Sequence, residues 1–177
     1  MASLKSKQSQ IAEIVKCGKD PVYFMNKYLK IQHPMRGLIP FKTYPFQDDC
    51  VIEFNNHRFS IVLKSRQLGL STLVAAYATW QAVFYKDKNI LIIATKLAVA
   101  QNFIRKVKTY IKSMPKWLLV PIITANNKQQ VEFSNGSQIK AVSTSEDAGR
   151  SEALSLLIVD EAAFVRNFDE LWMGLYP

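Results

Sequence analysis

Residues 59–72 read FSIVLKSRQLGLST: an apolar pentapeptide followed by a loop with one glycine and two adjacent hydroxyls. The spacing is nearly that of a phosphate-binding loop, G-x-x-x-x-G-K-[ST]. Laid over this chain, the pattern finds Gly69 and Ser71 in place. It puts Lys64 where the first glycine belongs and Leu70 where the lysine belongs. Three readings stay open on these residues alone: a nucleotide site with its charge moved, a dead site, and a coincidence.

The flanks favour a strand–loop–helix unit. FSIVL (59–63) reads as a short buried strand, and STLVAAYATWQAVFY (71–85) as a helix with Ser71 near its start. Such a loop presents backbone N–H groups to phosphate, and the helix dipole favours the negative charge. Gly69 lets the backbone approach where a side chain would intrude. The Ser71 hydroxyl would coordinate Mg²⁺, with Thr72 as the fallback. Leucine at 70 cannot neutralise phosphate, which leaves Lys64 and Arg66 as the candidate cations of the loop.

Working outward, residues 8–18, 21–29 and 44–56 read as helices, and IQHPMRGLIPFK (31–42) as a linker with two prolines and a glycine. NILIIAT (89–95) is a second buried strand. A helix follows over about 97–113, with Val99, Phe103, Val107, Tyr110 and Met114 at helical spacing. VEFSN (131–135) and SQIKAVS (137–143) flank Gly136 as a hairpin. LSLLIVD (154–160) is a third buried strand, and a last helix starts around 167–174. Continuous apolar strands alternating with helices predict an open α/β sandwich, its strands parallel and covered on both faces. In such sheets ligands bind at the carboxyl ends of the strands. The loop leaves one such end and Asp160–Glu161 leaves another.

LLIVDE (156–161) therefore bears on the same edge. In a P-loop enzyme the first acid, here Asp160, holds Mg²⁺ through its waters, and the second, Glu161, polarises the attacking water. The plain alternative is a solvated Asp-Glu turn. Upstream, YPFQ (44–47) offers Tyr44 to stack on adenine and the Gln47 amide to bond the adenine edge. Its alternative is simple packing of Tyr44 and Phe46.

Composition sets the frame. The chain has 177 residues, 49% hydrophobic and 21% charged, which suits one globular domain with a real core. Cys17 and Cys50 lack metal-ligand or redox spacing and read as thiols of a reducing compartment. No apolar run reaches the roughly 18 residues of a membrane span, and the polar start MASLKSKQSQ is no secretory signal. A soluble intracellular protein is expected. The net charge of +9 is uneven: eight basic and no acidic residues lie between Lys88 and Gln130. That stretch suits a polyanion such as nucleic acid, or else is a solvated helix face.

Taken together, YPFQ, HRFSIVLKSRQLGLST, FSNGS and GRSEALSLLIVDEAAFVRNF resemble the large terminase subunit of tailed bacteriophages, the ATPase motor that packages DNA. The similarity covers about residues 36–177. SRQLG with DEAAF is its most specific part. The resemblance implies a P-loop NTPase of the RecA-like (ASCE) type, an open, mostly parallel sheet incomplete at its carboxyl end. It implies a helical segment over 1–35, a partial ATPase domain over 36–177, and no nuclease domain. It also implies that ATP is bound by Tyr44, Gln47 and the loop Lys64, Ser65, Arg66, Gln67, Leu68, Gly69, Leu70, Ser71 and Thr72. Mg²⁺ would be held by Ser71 and Asp160. Glu161 would be the catalytic glutamate, with Arg66 sensing γ-phosphate and Arg150 reaching a neighbouring subunit's ATP. Arg150 has the alternative of a helix-capping surface residue. Some terminases carry the loop lysine at its start, as Lys64 is here.

The expected function is ATP hydrolysis coupled to translocation of double-stranded DNA into a procapsid. The implied partners are the portal protein, the small terminase subunit and further copies in a ring, with no membrane. The implied place is the host cytoplasm, at the procapsid portal, rather than the mature virion. A helicase-type ATPase and a truncated, non-catalytic basic DNA- or partner-binding module are the alternatives. The stretch that couples hydrolysis to motion in the family would come beyond Pro177, so turnover by these residues alone is not implied.

Overall fold

The computed structural model describes residues 2–144, 153–165 and 168–175. Two helices open the chain, α1 (Ala2–Lys19) and α2 (Pro21–Tyr28). Asp20 caps the second: its carboxylate accepts from the Tyr23 N–H at 2.8 Å, and Pro21 takes the first helical position. Glu13 then ties the pair together, accepting from Lys27 Nζ, Tyr28 Oη and Tyr23 Oη at 2.7–2.8 Å.

The expected linker over 31–42 is instead an antiparallel hairpin, β1 (Lys30–His33) with β2 (Gly37–Pro40). Gly37 turns it at φ +69°. Pro34 and Pro40 lie in the turn and at a strand end, where they remove no interior ladder bond.

After α3 (Pro45–Asn56) and α4 (Leu70–Phe84) comes the central strand β3 (Asn89–Ala94) and then α5 (Leu97–Ser113). Next are β4 (Ile123–Asn126), β5 (Gln130–Phe133), β6 (Gln138–Ser143), β7 (Leu156–Val159) and α6 (Phe168–Leu175). The sheet order is β4-β5-β6-β3-β7. Strand β3 runs parallel to β6 and β7, while β4, β5 and β6 pair antiparallel. The sheet is thus mixed rather than mostly parallel, because the 130–143 hairpin and β4 extend one side of it.

Helices cover both faces, as the apolar strands require. Successive side chains of β3 point to opposite faces. Ile90, Ile92 and Ala94 enter the main core with α4 and α5, and Leu91 and Ile93 meet Leu171 and Leu175 of α6. Cys17, Phe24, Met25 and Leu29 belong to the same main core, so the amino-terminal helices pack on the α/β body.

FSIVL does not form the expected buried strand. Residues 59–63 are irregular, and Ile61 and Leu63 are 100% and 101% exposed. A strand exists only through ladder partners. This segment has none among the described residues, and β7 bonds only β3 there. Among the described residues no helix is long and apolar enough to cross a membrane.

Candidate functional site

The loop is shaped by its backbone. Gly69 stands just before α4 at φ +72°, and its carbonyl accepts from the N–H groups of Thr72 and Leu73, both at 3.0 Å. Gln67, two residues earlier, is also left-handed at φ 64°. A non-glycine residue there is strained, and such strain gathers at ligand-binding turns. Glycine is required at 69 for a second reason: a Cβ would lie 2.9 Å from Gln47 Nε2.

Gln47 is what holds the loop. It is buried, its Nε2 donates to Leu68 O at 2.9 Å, and its Oε1 accepts from the Tyr44 N–H at 3.2 Å. The amide expected on adenine thus braces the start of α3 against the loop. One N–H of that amide is left over from the bond to Leu68. Tyr44 is exposed and stacks on Phe46 at 5.7 Å, nearly parallel.

The position that lacks its lysine is now explained. Leu70 is 7% exposed and belongs to the main core, so a charge could not be placed there without desolvation. Ser65, Lys64 and Arg66 are exposed. Neither cation has an acid within ion-pair distance among the described residues.

Ser71, in the first turn of α4, meets the strand end. Its Oγ lies 3.2 and 3.3 Å from the two carboxylate oxygens of Asp160, 89 residues away. Asp160 itself is fixed by its N–H, which bonds Ile93 O at 2.9 Å and prolongs the β7–β3 ladder. Glu161 follows at φ 54° with an exposed side chain, turning the chain into a 3-10 turn over Ala162–Phe164. A hydroxyl beside one carboxylate is a hard-oxygen donor set that suits Mg²⁺, which takes one or two carboxylates and completes its shell with water and phosphate. Consistent with this sparse set, no cluster of three or more His, Cys, Asp or Glu ligands occurs among the described residues.

The opposite wall comes from α5. Tyr110 is buried and its Oη donates to Thr72 O at 2.9 Å. Lys106, one turn earlier, is half-buried; burial lowers its pKa, the Asp160 charge opposes that, and Arg105 adds to it. Neither residue was marked by the sequence pattern as part of the site. Lys106 stands in a run of basic residues with Arg105 and Lys108, and only its spacing of four from Tyr110 could have flagged it. Arg150 lies outside the described residues.

Residues 61–174 match the model of the T4-like type of terminase large subunit, amino-terminal part. The chain belongs to the terminase large subunit family. Its fold is similar to that of the large terminase of bacteriophage HK97, solved by crystallography, with a TM-score of 0.71 at 19% identity. That alignment covers 90% of this chain and 35% of the HK97 protein, so the chain spans about a third of that terminase's length. The matched region contains the loop, α4, α5 and Asp160–Glu161.

Proposed function

We propose that this chain carries the ATP site of a DNA-packaging motor, with Mg²⁺-ATP held between residues 64–72 and Asp160. The observation that supports it best is the meeting of Ser71 Oγ with the Asp160 carboxylate. A loop at a helix start and an acid at a parallel strand end have no structural need of each other, yet together they would suit a metal–phosphate pair.

Ser71 Oγ and Asp160 would hold Mg²⁺, directly or through its waters. When bound, the ion would neutralise charge on the β- and γ-phosphates. The N–H groups at the start of α4 would face the phosphates, helped by the helix dipole. Glu161, exposed directly after Asp160, would accept the proton of the attacking water. Lys64 and Arg66 are free to fold onto the phosphates. Tyr44 and Phe46 offer an exposed aromatic surface to the base. Double-stranded DNA is the proposed polyanion, taken by the basic outer side of α5, and the portal protein, the small subunit and further copies in a ring are the proposed protein partners.

Calorimetric titration of Mg²⁺-ATP into the 177-residue protein tests this. The protein is expected to bind, and Ser71→Ala and Asp160→Asn each to weaken binding by roughly tenfold or more. A folded protein that takes up no ATP, or variants that bind as the parent does, would sink the proposal.

A further inference from the structure

The loop lacks its lysine at a position the core has claimed, and the fold supplies another lysine nearby. Tyr110 and Lys106 are four residues apart and share one face of α5. Tyr110 reaches Thr72 O in the first turn of α4. One turn is about 5.4 Å of helix, and long helical side chains lean toward the amino terminus. Lys106 therefore lies beyond the point where Tyr110 touches α4, toward the start of α5. That start follows the carboxyl end of β3, and Asp160 follows the carboxyl end of β7, parallel to β3. The ammonium lies 5.4 Å from the centroid of the buried Phe103 ring, which keeps the side chain half-buried rather than spread in solvent. Among the described residues no acid lies within ion-pair distance of it.

We propose that Lys106 is a phosphate-facing cation of this site, supplying from α5 the ammonium that position 70 cannot. This rests on the ATP-site reading above. Burial lowers the pKa of Lys106 and the Asp160 charge opposes that, so an unshared ammonium there is costly. A terminal phosphate between Lys106 and a metal at Asp160 would satisfy both. Because the start of α5 and Asp160 both follow the carboxyl ends of adjacent parallel strands, Lys106 is expected to contact the γ-phosphate more than the α- and β-phosphates that loop N–H groups cradle.

The test titrates Mg²⁺-ATP and Mg²⁺-ADP into the parent, Lys106→Gln, Lys106→Arg and Lys64→Ala, with a thermal melt of each. Lys106→Gln is expected to lose roughly tenfold or more in ATP affinity and about threefold or less for ADP, its melt unchanged. Lys106→Arg should recover most of the loss, and Lys64→Ala should weaken both nucleotides together. If the parent binds and Lys106→Gln binds ATP equally well, this inference falls while the ATP site stands. Equal losses for ATP and ADP with a lowered melt would make Lys106 structural and also overturn it. A parent that binds neither nucleotide removes the site and this role together.

Discussion

Gly69 is the residue on which the loop geometry turns. Its left-handed backbone and the Gln47 amide against its α-carbon leave no room for a side chain. Gly69→Ala should therefore cost about 1–3 kcal/mol in chemical denaturation. Pairing it with Gln47→Ala, which clears the space, should recover only the steric share and leave the backbone strain. The glycine and the serine were legible from spacing alone, since a phosphate loop needs both at fixed offsets. The reason for Leu70 was not, because a motif records which residue is present and not which core it enters. Gln47 was legible as a residue but not in its bonds: both ends of its amide reach backbone groups, one of them in a loop 21 residues away.

At the level of elements, β3, β7, α5 and the 130–143 hairpin follow from apolar runs and periodicity, which report burial directly. The β1–β2 hairpin escaped because its strands are largely exposed, and its prolines and glycine read as a linker. The docking of α1 on α2 depends on Glu13, whose carboxyl three donors, Lys27 foremost and then Tyr28 and Tyr23, hold down at about 2 against an ordinary 4.5. A depressed carboxyl contributes stability that is present above its unfolded value and is lost as pH falls from about 4.5 toward 2. Melting temperature should fall across that window in the parent and fall less in Glu13→Gln, already lowered at neutral pH. On α5 and just past it, Arg105, Lys112 and Lys116 are exposed. Lys112→Glu with Lys116→Glu should weaken duplex DNA binding and reduce its log–log salt slope by about two. An unchanged slope would place the DNA elsewhere.

At the scale of the molecule, the main discrepancy is the segment whose composition first suggested the fold. FSIVL has the residues of a buried strand, but composition says what a segment can bury and not whether a ladder partner stands beside it. Its neighbourhood is visible: the Phe59 ring lies 6.0 Å from Trp172 of α6, and Ser71 in the first turn of α4 meets Asp160 at the end of β7. Exposed apolar side chains near a sheet edge invite self-association. Ile61→Lys with Leu63→Lys should leave the melting temperature nearly unchanged and shift sedimentation toward monomer; a large loss of stability would show that these side chains are buried.

Amide chemical shifts of the isotope-labelled protein titrated with Mg²⁺-ATP show whether the loop and Asp160 form one nucleotide site. The largest changes should fall on residues 66–72 and 160–161, with Lys106 and its neighbours next. Saturable binding that leaves those amides unmoved, or that moves only the outer side of α5, would contradict it.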